Sequence, residues 1–277
     1  MIGRFLNPPP LEPRGFPQAT RTMVPWQVIA ALFLVLMVLL GLLVNHYRTL
    51  LALNILVTVI YLVSAFYRTL LIDISLRQNR EIDIGPRDLA CPPDGGWPFY
   101  TVMVPLYRES GIFPHLIASL GQLDYPKDKL EILLLIEGDD EETKIAAAAM
   151  DLQAPFQICF IPPSLPRTKP KACNVALGQA RGDYLVIYDA EDRPEIDQLK
   201  KAITAFQRVP PNVACIQAKL NFYNSDQNIM TRWFTAEYAM WFDLCLPGLD
   251  FFRAPIPLGG TSNHFRMDVL RQLKGWD

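Results

Sequence analysis

Apolar residues are spread unevenly along the chain. Between Thr22 and Tyr47 there is no Asp, Glu, Lys or Arg, and Val28–Val44 is apolar on every helical face. A helix without a polar side does not face water, and about 20 apolar residues span the hydrocarbon of a bilayer, so this stretch predicts a transmembrane helix. After His46-Tyr47-Arg48 a second uncharged stretch, Thr49–Tyr67, is long enough to cross back, with Asn54, Thr58 and Ser64 turned towards a partner helix. The pattern predicts a transmembrane hairpin over residues 24–67, preceded by a segment 1–23. A cleaved signal peptide fits less well. No small-residue cleavage site follows the apolar core, and a second span comes at once.

Arg4, Arg14 and Arg21 precede the first span and Arg68, Arg77 and Arg80 follow the second, against Arg48 alone between them. Positive charge favours the cytoplasmic side, so both ends are expected there, making this a multi-pass protein of the cytoplasmic (inner) membrane with the remaining chain cytosolic. Five cysteines, at 91, 159, 173, 215 and 245, form no C-x-x-C pair. They signal neither a zinc cage nor a disulfide framework and suit a reducing compartment.

Residues 68–97 read as a linker, ending in the Pro/Gly-rich, aperiodic stretch Ile82–Trp97. Beyond it, strand-like runs (99–105, 130–136, 156–161, 184–188) alternate with helix-like pieces (112–123, 141–152, 172–179, 197–207). Continuous apolar strands separated by helices predict an α/β fold, a mainly parallel sheet with helices on both faces. Such sheets bind ligands at the C-terminal ends of their strands.

Three polar clusters stand at those ends: Tyr107-Arg108-Glu109-Ser110, Glu137-Gly138-Asp139-Asp140-Glu141-Glu142 and Asp189-Ala190-Glu191-Asp192. Carboxylates there are good helix caps, and capping accounts for Asp140, Glu141 and Glu142 as well as ligand binding does. Asp189 and Glu191 are different. Two carboxylates one residue apart repel unless a cation neutralises them, and hard oxygen ligands suit Mg²⁺ or Mn²⁺ bridging a diphosphate. Arg167, Lys169 and Lys171 precede a helix start, where the dipole disfavours cations unless an anion such as phosphate is held. A solvated basic loop is the plainer alternative.

The remaining chemistry narrows by exclusion. With 26 Lys+Arg against 28 Asp+Glu, the chain gives no electrostatic reason to expect a nucleic-acid partner. Its 51% hydrophobic content excludes a disordered chain. P-loop, dinucleotide-fingerprint, H-E-x-x-H and G-x-S-x-G patterns do not occur.

Five ordered blocks carry a family resemblance: Val104-Pro-Leu-Tyr-Arg-Glu109, Leu123-Asp-Tyr-Pro-Lys-Asp-Lys-Leu-Glu-Ile132, Lys169-Pro-Lys-Ala-Cys-Asn-Val-Ala-Leu177, Asp189-Ala-Glu-Asp192 and Gly259-Gly-Thr-Ser-Asn-His-Phe-Arg266. Over residues 98–277 the chain resembles membrane-bound family 2 inverting glycosyltransferases of the cellulose-synthase-like and NfrB-like branch. That resemblance implies a GT-A fold and transfer of a hexose from a nucleotide-sugar, a UDP-sugar, to a glycan acceptor.

Carried over by position, it puts Tyr107 and Glu109 in the base pocket, with Arg108 where the family often has Asn. Glu137 and Asp139 fall at the uridine-contacting pair, although Glu-Gly-Asp-Asp stands where Asp-Asp-Gly is usual. Lys171 and Asn174 match the diphosphate-side motif. Asp189-Ala-Glu191 matches D-x-D, making Glu191 the ligand of Mg²⁺ or Mn²⁺ and Asp189 a ribose or metal contact. Gly260, Thr261 and Ser262 belong to the block facing the acceptor sugar, and His264 is expected to be structural.

The family's general base lies in a Thr-Glu-Asp motif followed by Q-x-x-R-W, both expected beyond Asp277. Asp243, Asp250 and Asp268 have no such setting. The expectation is an incomplete domain, inactive alone and completed by a complementary C-terminal polypeptide. A membrane-tethered nucleotide- or glycan-binding protein and a nucleotidyltransferase are the rival readings. The helix-like, aromatic-rich stretch Asp226–Leu246 stays open between core packing, a membrane-interface surface and a platform for a glycan.

Overall fold

The computed structural model describes residues 23–78, 80–90, 92–165 and 167–276. Arg4, Arg14 and Arg21, Cys91 and Asp277 lie outside them. The described residues divide into two compact units, one built from 82–219 and 257–276, the other from 23–81 together with 220–256.

The first unit is a six-stranded sheet in the order β3-β2-β1-β4-β6-β5. Strands β1 (Tyr100–Leu106), β2 (Leu130–Glu137), β3 (Phe156–Ile161) and β4 (Tyr184–Ile187) are parallel, as the apolar runs predict. Side chains alternate across the sheet, and this divides its core in two. Tyr100, Val102, Val104 and Leu106 pack on one face with α2 (Phe113–Gly121), α3 (Glu141–Ala149) and α5 (Gln198–Arg208). Met103, Leu133, Leu135, Leu185 and Ile187 pack on the other with α4 (Lys169–Leu177) and α8 (Met267–Gln272).

Two strands lack a sequence signature. β5 (Cys215–Gln217) and β6 (Asn263–Arg266) are short, and β6 runs antiparallel between β4 and β5. Three- and four-residue segments brought together from distant parts of the chain show no period long enough to recognise. The consequence is functional: the Gly259–Arg266 block is seated beside the end of β4.

A buried carboxylate secures the connection from α4 to β4. Glu131, within β2, accepts from the Thr101 hydroxyl (2.6 Å), from the Arg181 backbone N–H (2.5 Å) and from Arg181 Nε (2.9 Å). Gly182 follows. A Cβ there would lie 2.5 Å from the Tyr184 carbonyl oxygen and 2.6 Å from the Thr101 backbone nitrogen.

The second unit contains α1 (Pro25–Arg77). Where a hairpin of two bounded helices is expected, the structure has one long helical element that breaks at Asn45 (φ −157°, ψ 93°) into two helical segments. A Cβ on Gly41 would lie 2.8 Å from Thr49 Oγ1. Residues that far apart in sequence stand about 12 Å apart along a straight helix, so the chain direction changes sharply at Asn45. The Asn45 side chain accepts from the Arg48 N–H (3.0 Å), restarting the helix without a loop. By length and composition α1 is able to cross a membrane, and most of its large apolar residues are exposed. It continues to Arg77, through residues expected as linker, because Leu71 is buried where Gly248 of α7 (Leu246–Phe251) approaches it.

Between β5 and α7 the predicted helical stretch forms α6 (Ile229–Ala239) and a π-helical turn, Met240–Cys245. No residue of α6 is buried and Trp233 is 71% exposed, whereas Phe242 of the following turn is buried and packs against Tyr238 with ring centroids 5.8 Å apart, so core packing accounts for one side of the aromatic stretch and not for Trp233.

Gly182→Ala should destabilise the first unit by about 2–3 kcal/mol, since two backbone groups must move to admit one methyl. Urea unfolding followed by tryptophan fluorescence measures it, and a loss well below about 1 kcal/mol would contradict the close approach.

Candidate active site

The C-terminal ends of β1, β2 and β4 bring the predicted polar residues to one edge of the sheet. After β1 the chain turns through Arg108, at φ 59°, a conformation a non-glycine residue holds only when its surroundings fix it. Here Asp140 fixes it. Its carboxylate accepts from the Arg108 N–H (2.5 Å) and caps α3 by accepting from the Thr143 N–H (3.1 Å). Burial pushes the Asp140 carboxyl up, but these bonds and the Arg108 charge outweigh it and hold the group below its ordinary range. Capping thus accounts for Asp140. The exposed Tyr107 ring lies under the Arg108 guanidinium, 5.2 Å from its carbon.

Glu109 shows how closely the carboxylates gather. Partial burial, then the negative charges of Glu191, Asp140 and Asp189, raise its carboxyl above the ordinary value. The cations of the basic segment answer this charge in pairs. Arg167 meets Asp139 at 2.7 Å, Lys169 contacts Asp189, and Lys171 meets Glu137 at 3.1 Å. Lys171 also donates to the carbonyls of Pro162 (3.2 Å) and Ser164 (3.1 Å), so all three of its N–H donors have acceptors. Thr168 caps α4 and sets where these cations fall.

At the end of β4, Asp192 does work that sequence reasoning missed. Its carboxylate accepts from the Asp189 N–H (2.7 Å) and contacts the Thr261 hydroxyl, tying the acidic turn to the Gly259–Arg266 block. Burial raises its carboxyl above the ordinary value. The signal available was an Asp three residues after the strand-end Asp, a spacing suited to closing a turn through its side chain. Glu191 is exposed beside it.

Of the three residues that the resemblance assigns to the acceptor, Gly260 alone is exposed. Thr261 and Ser262 are buried, and the Thr261 hydroxyl and Ser262 N–H reach the Ile187 carbonyl (3.1 and 2.9 Å). They hold the seam between β4 and β6. Asn174, implied at the diphosphate, spends both ends of its amide on the Trp276 backbone, at 2.7 and 2.8 Å, and fixes the chain there. His264 is buried, bonded to the Tyr100 hydroxyl (2.6 Å) and near Gln198, and burial pushes its imidazole down to about 3. It is a neutral core residue.

Among the described residues no group of three or more His, Cys, Asp and Glu side chains is arranged to enclose a metal. Asp189 and Glu191 nevertheless fit Mg²⁺ or Mn²⁺ in another way. Such ions are commonly held by one or two carboxylates, with substrate phosphates supplying further ligands. Glu191 is exposed and Asp189 partly so, which leaves both carboxylates open to an ion arriving with substrate.

The family model for Glycosyl transferase family 2 matches residues 101–268. The probable glycosyltransferase YdaM of Bacillus subtilis (strain 168) is 23% identical over 184 residues, covering 65% of this chain and 43% of that protein. Glucomannan 4-beta-mannosyltransferase 2 of Arabidopsis thaliana is 26% identical over 192 residues, covering 65% and 35%. The chain therefore spans less than half the length of these curated relatives. Among solved structures, the mannosyltransferase PcManGT from Pyrobaculum calidifontis, in complex with GDP-Man and Mn²⁺, superposes with a TM-score of 0.56 at 22% identity over 79% of this chain and 58% of that one. The sheet is of that GT-A-like kind.

The state of His264 sets an acid limit. Above its ordinary value of 6.5 both folded and unfolded chains carry neutral imidazole, and stability is whole. Below 6.5 only the unfolded chain takes the proton, so stability should fall by about 1.4 kcal/mol per pH unit down to about 3. Urea unfolding of the wild-type chain and His264→Asn between pH 7 and pH 5 checks this. The variant's slope should be shallower, and equal slopes would show that His264 protonates in place.

Proposed function

The chain belongs to glycosyl transferase family 2, and we propose that it serves transfer of a hexose from a UDP-sugar to a glycan acceptor, with inversion at the anomeric carbon, on the cytosolic face of the inner membrane. What supports this most is the gathering of Glu109, Asp189 and Glu191 at the C-terminal edge of the sheet, with the Gly259–Arg266 block tied beside them through Asp192. Asp189 and Glu191 would hold a divalent ion, which supplies positive charge against the departing diphosphate.

The chain's own residues do the positioning. Tyr107 offers an exposed ring for a base, kept in place by the Arg108 turn on Asp140. Asp192 keeps Asp189 facing the edge. Gly260, with no atom within 4 Å of a Cβ built on it, leaves room for a sugar to approach the backbone. In the transfer the acceptor hydroxyl oxygen bonds to the anomeric carbon, the bond to the diphosphate oxygen breaks, and the hydroxyl proton leaves with a base. Inversion follows when attack comes from the face opposite the diphosphate.

α1 anchors this assembly in the bilayer. The sharp turn at Asn45, with Gly41 against Thr49, supports two crossings rather than one. The exposed Trp233, Ile229 and Met230 of α6, in the same compact unit as α1, favour contact with the membrane interface over a glycan platform.

Titration calorimetry on the full chain in detergent tests the donor site. UDP should bind about tenfold or more tightly with Mn²⁺ than with chelator, and Glu191→Ala should remove that difference. Metal-dependent binding of GDP in place of UDP would correct the base. Binding indifferent to metal in both proteins would refute the assignment of Glu191.

A further inference from the structure

Three cations enter the site, and they are committed differently. Lys171 is closed off, its side chain 9% exposed and its three donors spent on Glu137, Pro162 and Ser164. Arg167 pairs with Asp139 on the outer part of the β2 end. Lys169 is the first residue of α4, and its ammonium bridges the Asp189 carboxylate and the Gly260 carbonyl oxygen, with 29% of its side chain exposed. It therefore stands on the carboxylate that a metal would use and on the backbone beside which an acceptor would lie.

We propose that Lys169 and a divalent cation compete for Asp189, and that the ammonium displaced by the ion becomes a ligand of the donor's diphosphate. The inference rests on the donor site proposed above. Two positive charges do not share one carboxylate without mutual repulsion, so an ion entering at Asp189 and Glu191 must move Lys169 aside. Lysine suits such an exchange, because its ammonium is a point charge on a flexible stem with three rotatable donors, and a released ammonium next to a diphosphate forms a charge-assisted hydrogen bond. Lys171 is excluded from that role by its satisfied donors, and Asn174 by its pairing with Trp276. Leaving Asp189 also takes Lys169 off Gly260, so occupation of the donor side loosens the backbone on the acceptor side.

The test uses the full chain in detergent and reads binding rather than turnover. Lys169→Gln should bind Mn²⁺ alone more tightly than wild type, by up to about fivefold, as expected for removal of a partly exposed ion pair. The same variant should bind UDP in the presence of Mn²⁺ less tightly. Free Mn²⁺ is followed by electron paramagnetic resonance and UDP by calorimetry. These opposite signs distinguish competition from general damage, which weakens both.

Site-resolved acetylation of the wild-type chain supplies a second measurement that needs no variant. Mn²⁺ alone should raise the reactivity of Lys169, and Mn²⁺ with UDP should lower it again, while Lys171 on the same peptide stays unreactive throughout. Mn²⁺ affinity unchanged or weakened in Lys169→Gln, or Lys169 reactivity indifferent to Mn²⁺, overturns the proposal. Absence of any Mn²⁺-dependent UDP binding by the wild-type chain overturns the donor site itself, which separates the two failures.

Discussion

Negative charge collected at one edge of a parallel sheet has to be neutralised, and the pairing of the β-strand carboxylates with the cations of residues 167–171 is the interaction on which the site depends. Glu137, Asp139 and Asp189 come from two strand ends, and each meets its own cation. The pairs are unequal in purpose. Glu137 is buried and the Lys171 side chain is only 9% exposed, and breaking such a pair leaves an uncompensated charge, so that pair fixes the start of α4. The Asp189 pair is partly exposed, 29% on the lysine side chain and 36% on the aspartate, and further carboxylates stand near it, which makes it the one that an entering ion can exchange.

Delivering those cations requires α4 to lie close to the sheet. Its buried residues Ala172, Cys173 and Ala176 are small, and Met103, Leu135 and Ile187 fill the sheet face beneath them. The Glu131 bonds and the Gly182 contact then carry the chain directly into β4, at whose end Asp189 stands. Asp192 completes the circuit by joining that turn to Thr261. Fold and site therefore share the same few buried polar groups.

Much of this was legible in the sequence where local pattern decides structure. The four parallel strands and their helices follow from continuous apolar runs, and the rule that ligands sit at strand C-termini located the clusters. Long-range pairing was not legible. β5 and β6 are too short to show a period, so the burial of Thr261 and Ser262 could not be read from a block that resembles a sugar-facing loop. Asn174 illustrates the same limit: its type and spacing match a diphosphate ligand, yet a partner over a hundred residues later takes both ends of its amide. The uncharged run through residue 67 suggested two bounded helices, whereas Asn45 turns the chain within a single residue.

Anomalous scattering from Mn²⁺ in crystals of the chain grown with UDP and Mn²⁺ would locate the ion relative to Asp189, Glu191 and Lys169. One strong peak is expected between the Asp189 and Glu191 carboxylates and the diphosphate, with Lys169 turned from Asp189 to the diphosphate and Lys171 still on Glu137. A peak away from both carboxylates, with the Lys169–Asp189 pair intact and the nucleotide bound elsewhere than the C-terminal edge of the sheet, would contradict this placement.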